Sequence, residues 1–469
     1  MEEKKDELKL DENKMRTKPA GRLLFTMALP LILSMLVQAV YNVVDSVYVS
    51  QISESAVTAL SLAFPVQNLL IGCALGVAVG VNSLLSKSLG EGKRDHANIA
   101  AGNGIFLAAI VMVVFMVFGI LGSRPYYTIQ STVAETIEGG TSYVYICCLF
   151  CGGLLIEVLG ERLLQATGRT IYTLFTQGTG AILNIILDPV FIFGFEPLGI
   201  APMGVAGAAV ATVIGQWVAG IMAVIFNLKC NKEVQFGLKY IRPHGKVMKL
   251  ILAVGIPSMV MMAIGSVMNF AMNQILLGFT QYGETPAAVF GVYFKLQSFV
   301  FMPVFGLNNG IVPIIAYNYG ARKPDRIKET FKIAVMYAVA IMLVGILIFE
   351  LLPELLLKVF NASDNLYAIG TVALRLIAIH FVFAGYDIVC SSFMQALGHG
   401  VKSLIVSIVR QLLFLLPAAY IFAHVFGLNA VWLSFPVAEV ASLILCTIFT
   451  GRIFKTEIEP LNEKTDSKA

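Results

Sequence analysis

The sequence predicts an all-α polytopic membrane protein with twelve transmembrane helices in two pseudo-symmetric six-helix lobes. Three observations carry that prediction. The 469 residues are 57% hydrophobic and 13% charged, with a mean hydropathy of +0.80, whereas soluble domains carry about a quarter charged residues. Apolar runs of roughly 20 residues, enough to cross a bilayer, recur twelve times along the chain. Landmarks of the first half also return in the second at a nearly constant offset.

The runs cover residues 24–50, 58–86, 97–121, 140–166, 171–194, 203–227, 250–279, 287–317, 330–352, 366–396, 402–424 and 428–453, numbered spans 1 to 12. Residues 1–22 (MEEKKDELKLDENKMRTKPAGR) are charged and lack a short apolar core before a small-residue cleavage site. They read as a cytoplasmic, partly disordered tail, not a cleavable signal.

Lys and Arg fall almost entirely at the ends and in the even-numbered loops: Lys87, Lys93 and Arg94; Arg169; Lys229 to Lys249; Arg322, Lys323, Arg326 and Lys328; Lys402, Arg452 and Lys455. The odd loops offer Arg124 and Lys358. The positive-inside rule therefore puts both termini in the cytoplasm of a multi-pass protein of the plasma (inner) membrane. Topology already accounts for these basic clusters, so nucleic acid is not an expected partner. Cys73, Cys147, Cys148, Cys151, Cys390 and Cys446 lie within spans, where the thiol packs as a small apolar group. Cys148-x-x-Cys151 has no nearby His or second pair and reads as packing.

The repeat is visible by eye. Ala28-Leu29-Pro30 in span 1 returns as Gly255-Ile256-Pro257 in span 7. SKSLGEGKRD at 86–95 returns as AYNYGARKPD at 316–325, and QATG at 165–168 as QALG at 395–398. Offsets of roughly 230 residues imply two lobes in the same orientation, related by an axis along the membrane normal. The expected division is a tail (1–22), a first lobe (23–227), a linker (228–249), a second lobe (250–454) and a C-terminal tail (455–469). Duplicated lobes imply alternating access, a central site opened to each face in turn. Pro30 and Pro257 each remove a backbone hydrogen bond inside a span. Moving hinge and inert kink stand as equal readings.

Span 1 sets Ser34, Gln38, Asn42 and Asp45 on one helical face with Tyr41 alongside. Span 5 repeats the pattern with Gln177, Asn184 and Asp188, and span 6 carries Thr212 and Gln216. A carboxylate within a span costs several kcal/mol unless compensated, so such a stripe faces away from lipid. At 1.5 Å per residue, Asp45 lies about 34 Å and Asp188 about 28 Å from the inner ends of their spans, and Thr212 about 13 Å below the outer surface. All three fall in the outer half and can converge. Two neighbouring acids cannot both ionise cheaply, so the pair can take up a proton. Carboxylate, amide and hydroxyl oxygens equally suit a small hard cation. The plainer alternative is that Asp45 only completes a local hydrogen-bond network.

At these residues the chain resembles the multidrug and toxic compound extrusion (MATE) family, and within it the prokaryotic DinF-like branch. The carriers are Ala28-Leu29-Pro30, QAVYNVVD at 38–45, NIILDP at 184–189 and GVAGAAVAT at 204–212. The resemblance implies a MATE-like fold and export of lipophilic, mostly cationic organic compounds by antiport, with H+ or Na+ as coupling ion and no other cofactor. It implies a cation or proton site at Asp45, Asn184, Asp188 and Thr212, where sodium is one alternative and no other metal is indicated. Gln38 and Tyr41 match relay and drug-cavity positions; Asn42, Gln177 and Gln216 join them on the polar stripe. A second branch uses carboxylates of the other lobe, including a Glu in span 7, where this chain reads NFAMNQ at 269–274.

Further acids lie elsewhere. Asp387 is expected to pair with Lys295, Arg375 or Arg410 more than to line a cavity; for Glu157 and Glu161 pairing and cavity lining stay open. His380 reads as a packing residue. The expected partners are small organic cations and the bilayer, and the expected state is a monomer. A lipid-linked oligosaccharide flippase of the same superfamily is the alternative. It needs a cationic cavity, and no Lys or Arg is expected at depth in lobe one. No HExxH, GxSxG or paired His supports an enzyme.

Overall fold

The computed structural model describes residues 13–358 and 364–461. Among these, ten helices are long and apolar enough to cross a membrane, and two bent pairs bring the number of spans to twelve. Spans 1, 2 and 3 are Ala20–Ser50, Glu54–Gly90 and Arg94–Gln130; spans 5 and 6 are Ile171–Ile192 and Val205–Cys230. Spans 7, 8 and 9 are Gly245–Leu277, Thr285–Gly320 and Pro324–Leu351. All but span 5, which stops two residues short of its expected run, extend a few residues beyond the apolar core at one or both ends, because a helix satisfies its own backbone groups wherever lipid offers no partner.

Spans 4 and 10 are broken. Ala134–Leu149 meets Gly152–Ala166 at 47°, and Asp364–Ala378 meets Phe381–Ala396 at 48°. At each break a side chain adds a bond to a carbonyl that keeps only a short-range backbone partner: Trp217 Nε1 donates to Phe150 O at 3.0 Å beside Gly153 N, and His380 Nδ1 donates to Ile377 O beside its own N–H. Span 11, Gly400–Val425, contains a π-helical stretch at Val409–Leu415, and span 12, Leu428–Ile458, ends in one at Phe454–Ile458.

The repeat extends to the turns. Gly92 has φ 76° and its counterpart Arg322 has φ 53°. The 2–3 turn closes with Lys93 N donating to Ser88 O, and the 8–9 turn with Lys323 N donating to Asn318 O, both at 2.9 Å. Gly168 and Gly398 do the same after spans 4 and 10, at φ 77° and 88°. Arg322 is exposed and carries a Cβ where the left-handed region costs about 1–2 kcal/mol. Arg322→Gly is therefore expected to stabilise the protein by about 0.5–1 kcal/mol once glycine's own entropy is deducted. Thermal unfolding in detergent measures it; a lower unfolding temperature contradicts it.

Packing divides the chain into two compact units within spans 1 and 7, not at the linker. One unit holds Leu33–Met259; the other joins Asp11–Ile32 to Val260–Ala469. Each boundary falls just beyond a proline, Pro30 or Pro257. Glycines explain the exchange of half-spans. In the first unit a Cβ on Gly76 would lie 2.7 Å from Gly255 O, and one on Gly80 2.2 Å from Ile251 O. In the second, a Cβ on Gly306 would lie 2.6 Å from Ile32 Cα, and one on Gly310 3.3 Å from Ala28 Cα. Small residues four apart let backbones touch, so spans 2 and 8 each receive the N-terminal half of a first helix from the opposite repeat.

Short segments ahead of those half-spans are tied to the same units. In the second unit Met15 is buried and its carbonyl accepts from Arg326 Nη2 at 3.0 Å and Asn318 Nδ2 at 3.3 Å; Lys18 O accepts from Arg326 Nη2 at 2.6 Å. In the first unit Asn103 Oδ1 accepts from His244 N at 2.8 Å, and Asn98 Oδ1 from Gln235 N at 2.8 Å. The tail expected over 1–22 is thus ordered and anchored from residue 13; residues 1–12 lie outside the described part. Arg326→Gln is expected to speed tryptic cleavage at Lys14 and Arg16 severalfold, because it removes two charge-assisted bonds to the segment that carries them. An unchanged cleavage rate opposes this.

Candidate cation site in the first unit

Spans 1, 5 and 6 bring Asp45, Asn184, Asp188 and Thr212 together inside the first unit. Asp188 is fully buried, and Asn184 and Thr212 are 3% and 8% exposed; Asp45 is half-buried. Asn184 and Asp188 are one turn apart, so they share a face. With the Asn184 amide oriented as its neighbours require, Nδ2 donates to Asp188 Oδ2 at 3.0 Å. Its Oδ1 accepts from Thr212 Oγ1 and Thr212 N, each at 3.2 Å. The Asp45 and Asp188 carboxyls are immediate neighbours. Such a contact needs a shared proton or another cation, because two bare carboxylates repel. Asp45 Oδ1 is buried with no hydrogen-bond partner. The set is thus two carboxylates, one of whose oxygens, Asp45 Oδ1, is buried and unpaired, with an amide and a hydroxyl beside them. It fits a proton or a small hard cation. Among the described residues no group of three or more His, Cys, Asp and Glu is placed to hold a metal ion.

Tyr41 is half-buried and neighbours Asp45, Asp188 and Glu157. Gln38 is exposed and Gln216 half-buried; the Asn42 side chain lies outside the described residues. Gln177 is drawn elsewhere: its Nε2 donates to Glu161 Oε2 at 2.8 Å, while Thr176 Oγ1 donates to Glu161 Oε1 at 2.6 Å. Glu161 is therefore held by two neutral donors from span 5, and half-buried Glu157 stands one turn away on the same face.

Sequence reasoning missed several residues. Tyr143, buried in span 4, accepts from Gln67 Nε2 at 2.7 Å and lies near Asp45 and Tyr41. Its run SYVY looks like ordinary membrane aromatic sequence. Arg162 corrects the expectation that lobe one has no base at depth. It is 7% exposed, donates to Gln165 Oε1 at 3.0 Å and neighbours Glu161. Its signal was its position inside span 4, four residues from the basic end.

The expected partners of Asp387 need correction too. Arg410 Nη1 contacts Glu439 Oε1 at 3.2 Å. Arg375 Nε lies 4.0 Å from Glu350 Oε2 at an exposed site. The Asp387 oxygens are buried without a hydrogen bond, with Arg410 as a charge neighbour. Glu439 was overlooked as a lone acid in an apolar run. His380 packs against Phe301, Phe381 and Phe435, as expected of a packing residue.

The MatE family pattern matches residues 30–190 and 257–421, both halves of the repeat. The chain is 24% identical over 439 residues to the multidrug export protein MepA of Staphylococcus saprophyticus, covering 92% of this chain and 95% of that one. It is 25% identical over 449 residues to MepA of Staphylococcus aureus strain N315, covering 93% and 95%. Its fold matches the outward-facing structure of a MATE multidrug resistance transporter of the MOP superfamily with a TM-score of 0.89 at 24% identity, over 96% of this chain and 98% of that one. With the family pattern spanning both repeats and the fold shared end to end, the chain belongs to the MATE family of multi-pass membrane transporters.

Proposed function

We propose that this transporter exports lipophilic, mostly cationic organic compounds in exchange for protons or sodium ions, by alternating access. The observation that carries this reading is the Asp45–Asp188 contact, braced by Asn184 and Thr212, with a buried carboxylate oxygen left open. A cluster of this kind can load and release one small cation as its surroundings change between wet and dry. The relatives are named multidrug export proteins, which supports drugs as cargo. The lipid-linked oligosaccharide alternative is not favoured: the acids dominate the polar interior of lobe one, and Arg162 is engaged by Gln165. In this reading the protein sits in the plasma membrane with both termini cytoplasmic and works as a monomer, its two lobes following the repeat.

Proteoliposomes test the coupling. Uptake of a fluorescent organic cation is measured under an imposed pH gradient without sodium, and under a sodium gradient without a pH difference. Acceleration by either gradient is the expected result and identifies the ion. Uptake indifferent to both removes the antiport reading.

A further inference from the structure

The second unit holds a charge cluster that the export reading leaves unused. Arg410 lies in the π-helical stretch of span 11 and contacts Glu439 of span 12. Asp387 of span 10 is 3% exposed, and neither carboxylate oxygen is hydrogen-bonded. Around them stand Ser442 and Cys446 of span 12, Cys390 and His380 of span 10, and Tyr293 of span 8. Two acids therefore share one guanidinium inside the membrane-spanning part. A guanidinium does not give up its proton, so this positive charge is permanent. Among the described residues the acid pair of lobe one has no such neighbour: Asp45 and Asp188 stand beside each other, Asn184 and Tyr41. The π-helical stretch matters because its wider turns shift which residues face a neighbour, and such stretches recur at functional positions.

We propose that Arg410 is a built-in counter-cation, occupying with its guanidinium the place in lobe two where an exchangeable cation would otherwise neutralise Asp387 and Glu439. It thereby confines ion exchange to the Asp45–Asp188 cluster. This rests on reading that cluster as the ion-exchange site. Removing the Arg410 charge uncovers a second site made of two carboxylates and the Ser442 hydroxyl, an oxygen set suited to sodium.

The test uses the full-length protein in detergent, with unfolding temperature read in about 100 mM sodium chloride against equal choline chloride. A pH of about 8 keeps proton competition weak. The Asp45→Asn/Asp188→Asn protein silences lobe one and is expected to show no sodium response. Adding Arg410→Gln is expected to create a rise of about 2–4 °C in sodium. Adding Glu439→Gln and Asp387→Asn together to that chain abolishes the rise, and Arg410→Lys, whose ammonium the two neighbouring acids hold charged at this pH, does not produce one. If the Arg410→Gln chain fails to accumulate, pairing it with Asp387→Asn leaves Glu439 as the single acid, and the sodium response is expected there. A full sodium response in the Asp45→Asn/Asp188→Asn protein, or none in both Arg410→Gln chains, overturns the proposal. Absence of a sodium or proton response in the unmutated protein counts against the lobe-one reading alone, since the Arg410→Gln arm reports on lobe two by itself.

Discussion

Asp188→Asn is expected to abolish drug export while leaving the protein in the membrane at its normal level. The replacement is nearly isosteric. Its amide oxygen still accepts from Asn184 Nδ2, which approaches Asp188 Oδ2 at 3.0 Å, and its NH2 group can donate to the Asp45 carboxylate. Packing around a fully buried side chain is thus preserved, and a neutral amide avoids the cost of burying a charge. What disappears is the ability to take up and surrender a cation. A transporter whose site cannot change charge has no way to make one orientation favourable with the ion and the other without it. Asp45→Asn removes the partner acid and is expected to have the same effect. Efflux of a fluorescent organic cation from cells, with membrane abundance measured in parallel, decides the matter. Wild-type efflux in either variant disproves the coupling role.

Gly80→Val is expected to prevent stable folding. A Cβ there would sit 2.2 Å from the Ile251 carbonyl oxygen, a backbone atom that cannot step aside without moving span 7. Forcing the helices apart costs more than about 3 kcal/mol, a large part of a domain's stability. The repeat supplies an independent second case, because a Cβ on Gly306 would lie 2.6 Å from Ile32 Cα in the other unit. Gly291→Ala is the contrast. Nothing lies within 4 Å of its added methyl, and alanine is the better helix former by about 1 kcal/mol, so that change is expected to stabilise. Fluorescence-detected size-exclusion profiles separate the outcomes. A monodisperse Gly80→Val protein at normal yield refutes the close-packing account.

Much of this was readable in the sequence because single-helix periodicity and membrane length are local properties. The twelve spans, the repeat and the stripe joining Asp45, Asn184, Asp188 and Thr212 all follow from residue spacing within one helix and depth along it. What escaped depends on contacts between helices. The breaks at 150–151 and 379–380 leave no gap in hydropathy, since the carbonyls there are bonded by nearby backbone N–H groups and by Trp217 and His380 from inside the membrane-spanning part. The π-helical stretch at 409–415 keeps the same apolar composition as an α-helix. Glycines 76 and 80 are visible as a small-residue pair, but the backbone they receive is not. Arg410 was weighed against Asp387 because the repeat drew attention there, whereas Glu439 belongs to no repeated landmark.

The exchanged half-spans bear on how the chain is made. The first repeat emerges from the ribosome before residues 245–259, which its own glycine-lined surface on span 2 requires. Synthesis must therefore pass the middle of the gene before either bundle can close, and a polypeptide stopped at residue 227 leaves that helix surface bare. Fragments severed between 228 and 249 are expected to be unstable apart and to rescue each other when produced together.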